Sequence, residues 1–151
     1  MKTLNYSCKH ARIHKFNIFY YRSVLSRGRN TYAIVEEDHT WLEALGKCLL
    51  LGGNLAVIDN LDEFNFLYLM LQEHRETGGT ARGLWVDGDN SRAPGTWYCA
   101  TRRTNCPFLG WSSDADEIGC ACVWYNSHYA DGMGTCICAA SDTHFPLCEF
   151  R

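Results

Sequence analysis

Four of the nine cysteines stand in two Cys-x-Cys pairs, Cys120/Cys122 and Cys136/Cys138, and two chemistries can use them. One is a four-thiolate zinc site, although tetrahedral ligation normally uses a tighter knuckle. The other is disulfide formation. Alternation along two antiparallel strands puts all four thiols on one face, and one register sets Cys120 opposite Cys138 and Cys122 opposite Cys136. Opposed Cα atoms lie about 4.5–5.5 Å apart, within bridging range. Two bridges side by side would be strained, so either both form or Cys120 or Cys122 turns to another partner. Cys99 and Cys106 are close enough in sequence to staple a loop. Cys8 is then free, intermolecular or outside the folded unit. Nine thiols in a chain this short favour an oxidising compartment and disulfides.

Other chemistry is thinner. Asp114, Asp116 and Glu117 place three carboxylates within four residues, enough for loose calcium affinity and equally the mark of a solvated acidic loop. Asn126 and Asp131 could add oxygens. Trp124, Tyr125 and Tyr129 flank the same region, and such rings suit sugar faces and protein partners alike. Ser141, Asp142 and His144 spell a catalytic triad, but neighbours in one short loop do not make a nucleophile–base–orienter chain. His10 and His14 have metal-like spacing by chance only. No glycine loop for phosphate is present. The chain reads as a non-enzyme without a dedicated cofactor, calcium being at most a weak ligand.

The 151 residues make one domain, 46% hydrophobic and 21% charged, which is a packed composition. Residues 16–25 come nearest to an apolar span, but Arg22 interrupts them and they fall well short of ~20 residues. The net charge of -3 conceals an asymmetry: residues 1–30 carry +7 and residues 31–151 carry -10. A basic head can serve nucleic acid or an anionic surface, yet the balance of signals favours neither a nucleic-acid partner nor a membrane span. The head also lacks a clean signal peptide. It is therefore expected to be poorly ordered or to pack peripherally, docking on the acidic body in a salt-sensitive way. The sequon Asn5-Tyr6-Ser7 agrees with the extracellular, secreted location that the cysteines imply.

These residues need elements to position them. Thr40 and Glu43 have capping-box spacing, and Trp41, Ala44, Leu45, Cys48 and Leu49 form one apolar helical face that ends at Gly52-Gly53. Residues 54–58 read as a strand. Asn60 and Glu63 repeat the capping spacing ahead of Phe64, Leu67, Tyr68 and Leu71. After the loop 76–82 the pattern turns to strands: 84–86 and 96–99 as a hairpin, then 120–125, 135–138 and 146–150. Helices first and antiparallel strands after give an α+β domain.

The order of these signals resembles a known family. Trp41-x-x-Ala44-x-x-x-Cys48 is followed by Gly52-Gly53-x-Leu55-Ala56-x-Ile58 and Glu63. Leu84-Trp85-Val86-Asp87-Gly88, Gly95-Thr96-Trp97 and Pro146-Leu147-Cys148-Glu149-Phe150 complete it. Together they resemble the C-type lectin-like domain over residues ~31–151, leaving residues 1–30 unassigned. The resemblance implies two helices flanking a small, mostly antiparallel sheet, with a long loop carrying the ligand site. It implies a Cys48–Cys148 bridge, one bridge between 120–122 and 136–138, and core or turn roles for Trp85, Gly88 and Trp97.

The resemblance further implies an extracellular recognition domain for a glycan or glycoprotein. Family members that hold sugar through calcium use a proline-containing triplet and a Trp-Asn-Asp triplet. Here 112–119 (SSDADEIG) contains neither, and the nearest match to the second is Tyr129-Ala130-Asp131, with a methyl group in place of an amide. Glycan binding without the usual calcium site is therefore expected through Asp114, Asp116, Glu117, Trp124, Asn126, Tyr129 and Asp131. The alternative is a calcium-independent protein-binding module on the same fold.

Overall fold

The structure, a computed structural model, describes residues 21–93, 95–107, 118–125, 134–136, 138 and 141–151. Its central strand is β9 (Phe145–Phe150). Along one edge β9 pairs antiparallel with β2 (Asn30–Val35), which pairs outward with β1 (Tyr21–Arg27). On the other it runs parallel to β4 (Gly83–Asp89) and then meets the short β3 (Asn54–Leu55). From β4 the sheet continues to β5 (Tyr98–Cys99) and β6 (Thr104–Asn105), and separately to β7 (Cys120–Trp124) and β8 (Gly134–Cys136). This is the expected α+β architecture, with β4–β9 the one parallel pairing among the described strands. The expected boundary falls after residue 30. Strand β1 lies before it and pairs with β2 from Tyr21↔Val35 to Arg27↔Asn30.

Alternation sorts the side chains onto two faces. Ile34, Leu84, Val86, Ala121, Val123 and Leu147 pack in one cluster with α2 (Leu61–Glu76), through Phe64, Leu67, Met70 and Leu71. Their neighbours Val35, Trp85, Cys120, Cys122 and Cys148 face the other way, onto Trp41, Ala44 and Cys48 of α1 (Trp41–Leu50). Period-two strands buried on both faces between helices produce this division. Indole N–H groups cross-link the α1 side: Trp41 donates to the Val86 carbonyl at 2.9 Å and Trp85 to the His39 carbonyl at 2.6 Å.

Helix α1 begins as its sequence requires. The Thr40 hydroxyl accepts the Glu43 amide at 3.3 Å while the Glu43 carboxylate takes the Thr40 amide at 2.8 Å. That amide holds the exposed Glu43 carboxyl below the usual carboxylate range. Gly52 then adopts a left-handed φ of 86° and ends the helix. At α2 only half of the box forms. Asn60 accepts the Glu63 amide at 2.9 Å, but the Glu63 carboxylate takes the amide of Asp59, one residue early. Leu49, expected on the buried face of α1, is 63% exposed. Segment 54–58 holds only two strand residues, and the 84–86/96–99 hairpin contracts to a single Asp89↔Tyr98 pairing.

Four disulfides are present: Cys48–Cys148, Cys99–Cys106, Cys120–Cys138 and Cys122–Cys136. Both hairpin bridges form, so none of the four Cys-x-Cys thiols is left as a zinc ligand. The register differs from the one expected. Cys120 lies opposite Cys136 and Cys122 opposite Gly134, a shift of two residues. The two bridges therefore run diagonally, each reaching the next same-face cysteine. A shift of two preserves the face, which is why the pairing partners survive it.

Candidate functional site: an aromatic rim at the end of β7

Strand β7 lies, in sequence, between the two segments that carry most of the predicted ligand residues. The segment bearing Asp114, Asp116 and Glu117 joins it at Gly119–Cys120; the segment bearing Asn126, Tyr129 and Asp131 leaves it at Trp124–Tyr125. Four residue steps of a strand put those attachment points about 13 Å apart. Those six residues lie outside the described residues, as do Cys8, His10 and His14. Of the predicted ligand set, Trp124 can be placed.

Trp124 is half-buried at the end of β7 on the α1 face of the sheet. Its indole meets the His144 ring edge-to-face, with centroids 4.8 Å apart at 81°. His144 in turn packs at 72° and 4.7 Å against the buried Trp85. The stack closes because Gly83 lies beneath it: a Cβ there would stand 3.3 Å from His144 Nδ1 and 3.4 Å from Trp124 Cε3. A partly exposed indole is thus backed by the buried His144 ring, itself packed on the buried Trp85, so little further ordering is needed when a ligand lands on it.

Tyr125 points to the opposite face and carries the Arg75 guanidinium over its ring at 4.9 Å. Its amide donates to the Arg82 carbonyl at 3.1 Å, tying the strand end to the start of β4. Asp142 and His144 do pair, Oδ1 to Nε2 at 3.0 Å. The imidazole is nevertheless buried between two indoles while Ser141 is exposed, so this is not a catalytic triad. Burial pushes the His144 pKa down, with Asp142 pulling the other way.

Metal-like groupings among the described residues fall away on chemistry. Asp89 with Cys120 and Cys138, and Asp142 and His144 with Cys136, are brought within ligand distance. The cysteines in both sets are disulfides and offer no thiolate. Asp87 is buried under the Cys99–Cys106 loop and accepts the Ala100 and Thr101 amides at 3.0 and 2.7 Å. Burial raises its pKa and those amides oppose the rise, so its task is to hold the loop.

Sequence reasoning missed a second polar assembly. Tyr32 donates its hydroxyl to the buried Glu63 carboxylate. Asn30 donates to Glu149 Oε1 at 2.8 Å, and the Val57 amide to Glu149 Oε2 at 3.3 Å. Burial raises the Tyr32 and Glu149 pKa values. Beside it, Arg27, Asn30, Tyr32, Asp59 and Glu63 line an open cavity of about 260 Å³. The cluster joins residues as far apart as 30 and 149, so no local motif could have revealed it.

No protein-family model matches the chain, and no curated protein does. Solved structures do match. Human lithostathine aligns over 86% of this chain and 89% of its own at 18% identity, with a TM-score of 0.70. A calcium-independent type II antifreeze protein aligns over 85% and 92% at 18% identity and a TM-score of 0.63. The carbohydrate-recognition domain of the mouse scavenger receptor C-type lectin aligns over 86% and 94% at 16% identity and 0.64. At such identities the likeness is one of fold.

Proposed function

We propose, from the C-type lectin-like fold of this chain, that it is a non-enzymatic extracellular recognition domain that binds a glycan or glycoprotein without the usual calcium site. Trp124 carries this reading. It offers a rigid, partly exposed ring at the root of 126–133, where an apolar pyranose face can stack while nearby polar groups take hydroxyls. The sequence supports calcium independence, since Ala130 stands where the resembled triplet has an amide oxygen. A similar fold in a calcium-independent antifreeze protein is consistent with it. Four disulfides support an oxidising, extracellular setting.

The test is glycan binding by the full chain and by Trp124→Ala, with near-ultraviolet circular dichroism as the control for fold. Loss of one stacked ring should weaken binding about fivefold or more, taking a ring stacked on an aromatic side chain as worth about 1–3 kcal/mol. Unchanged glycan affinity in the variant would refute the assignment of Trp124.

A second reading, a protein-binding module, is favoured by one observation. Trp124, Tyr125 and the Arg75 guanidinium stacked on Tyr125 are the residue types that dominate protein interfaces. Displacement of a bound ligand by free monosaccharide separates the two readings: a glycan ligand competes and a protein ligand does not.

A further inference from the structure

The outer face of α1 is apolar and uncovered among the described residues. Leu42, Leu49 and Leu50 are 72%, 63% and 85% exposed. They follow one another at helical spacing around Gly46, where a Cβ would meet nothing within 4 Å. Three open leucines around a bare glycine form a shallow apolar trough along a helix about 15 Å long. A contiguous exposed patch of this kind on a small domain marks an interaction surface. Other large exposed apolar side chains are more scattered: Val24, Leu61, Leu69 and Ile118.

Three observations identify an occupant. Residues 1–20 enter the sheet at Tyr21, which is opposite Val35, and Val35 is followed within five residues by the Thr40 cap of α1. Twenty residues span a 15 Å helix with chain to spare. The segment carries Lys2, Lys9, Arg12 and Lys15 and no acidic residue, together with Ile13, Phe16, Ile18, Phe19 and Tyr20. The approach to α1 carries the exposed Asp38 and Glu43, while Glu36 lies against His74 of α2 at 3.8 Å. Lys47, the basic residue of the helix, faces Glu37 at 2.8 Å rather than the trough. The basic, aromatic segment is thus complementary in charge and apolar character to an acidic helix start and the leucine face that follows it.

We propose that residues 1–20 dock on the Leu42/Gly46/Leu49/Leu50 face of α1, with their basic residues against Asp38 and Glu43. The inference does not depend on what the Trp124 rim binds. Cys8 supplies the probe, since the other eight cysteines are paired. A nitroxide on Cys8 of the full chain, diluted to monomer, should weaken the methyl signals of Leu42, Leu49 and Leu50 at least twofold and leave Leu69 unaffected. Leu49→Glu/Leu50→Glu, both at exposed positions, should abolish the effect at Leu42, and high salt should reduce it. Hydrogen exchange gives a second readout: protection of residues 13–20 in the wild type should be lost in the same variant. Full methyl signals together with unprotected exchange across 13–20 would overturn the proposal. So would broadening seen only between labelled and unlabelled chains, which would give the face to a second copy.

Discussion

The two hairpin disulfides are nested, and nesting predicts an unequal response to their removal. Cys122–Cys136 lies inside the loop that Cys120–Cys138 already closes, two residues in from either end. Once the outer bridge exists, the inner one removes little further entropy from the unfolded chain. Cys122→Ala/Cys136→Ala should therefore cost below about 1 kcal/mol in loop entropy, whereas removing both hairpin bridges should cost about 3 kcal/mol. Cys48–Cys148 encloses a separation of 100 residues with no bridge nested around it. Its removal should cost about 4.7 kcal/mol by the same loop-entropy relation. Cys48, Cys148, Cys122 and Cys136 are all buried, so packing losses are comparable and the difference isolates the loops. Guanidinium unfolding at 20 °C without reductant measures it. With a slope of about 4 kcal/mol/M, loss of Cys48–Cys148 should lower the midpoint by about 1 M, against a shift of about 0.2 M for the inner hairpin bridge. Equal shifts for these two pairs would refute the loop argument.

Two further outcomes follow from the buried histidines. Gly79→Ala would place a methyl group within the His74 ring, which is fully buried and bonded to Ser23 at 3.1 Å, so the variant should lose roughly 1–3 kcal/mol in denaturant titrations; an unchanged midpoint contradicts the packing described. His144, whose pKa burial lowers, takes up its proton at lower pH in the folded chain than in the unfolded chain, which protonates near pH 6.5. Its contribution is therefore full above pH 6.5 and falls as pH drops towards the folded pKa, so His144→Gln should lose less stability than wild type between pH 8 and pH 5. Parallel losses would show that His144 does not titrate this way.

Local signals were legible in the sequence, and long-range ones were legible only where a pattern constrained them. Thr40 and Glu43 form their box because both partners lie within one turn of helix. At α2 the same spacing misled in part, because the Glu63 carboxylate is drawn to Asp59 and to Tyr32, which lies 31 positions away. Leu49 fits an apolar face by periodicity, yet β9 and β3 cover a narrower stripe through Trp41, Ala44 and Cys48. The Cys-x-Cys alternation predicted a common face correctly but not the register, because a shift of two residues leaves every side chain on its face. Trp124 could be singled out as an aromatic near the predicted site. Its backing could not, since Gly83 and His144 come from β4 and the approach to β9.

Glycan-array binding by the full chain, in EGTA and again in millimolar calcium, tests the functional reading most directly. The account predicts the same glycan profile in both conditions, because the loop lacks the proline and the amide oxygen that preorganise a tight calcium site. Binding that appears only with calcium and is lost in Asp116→Ala or Asp131→Ala would contradict it.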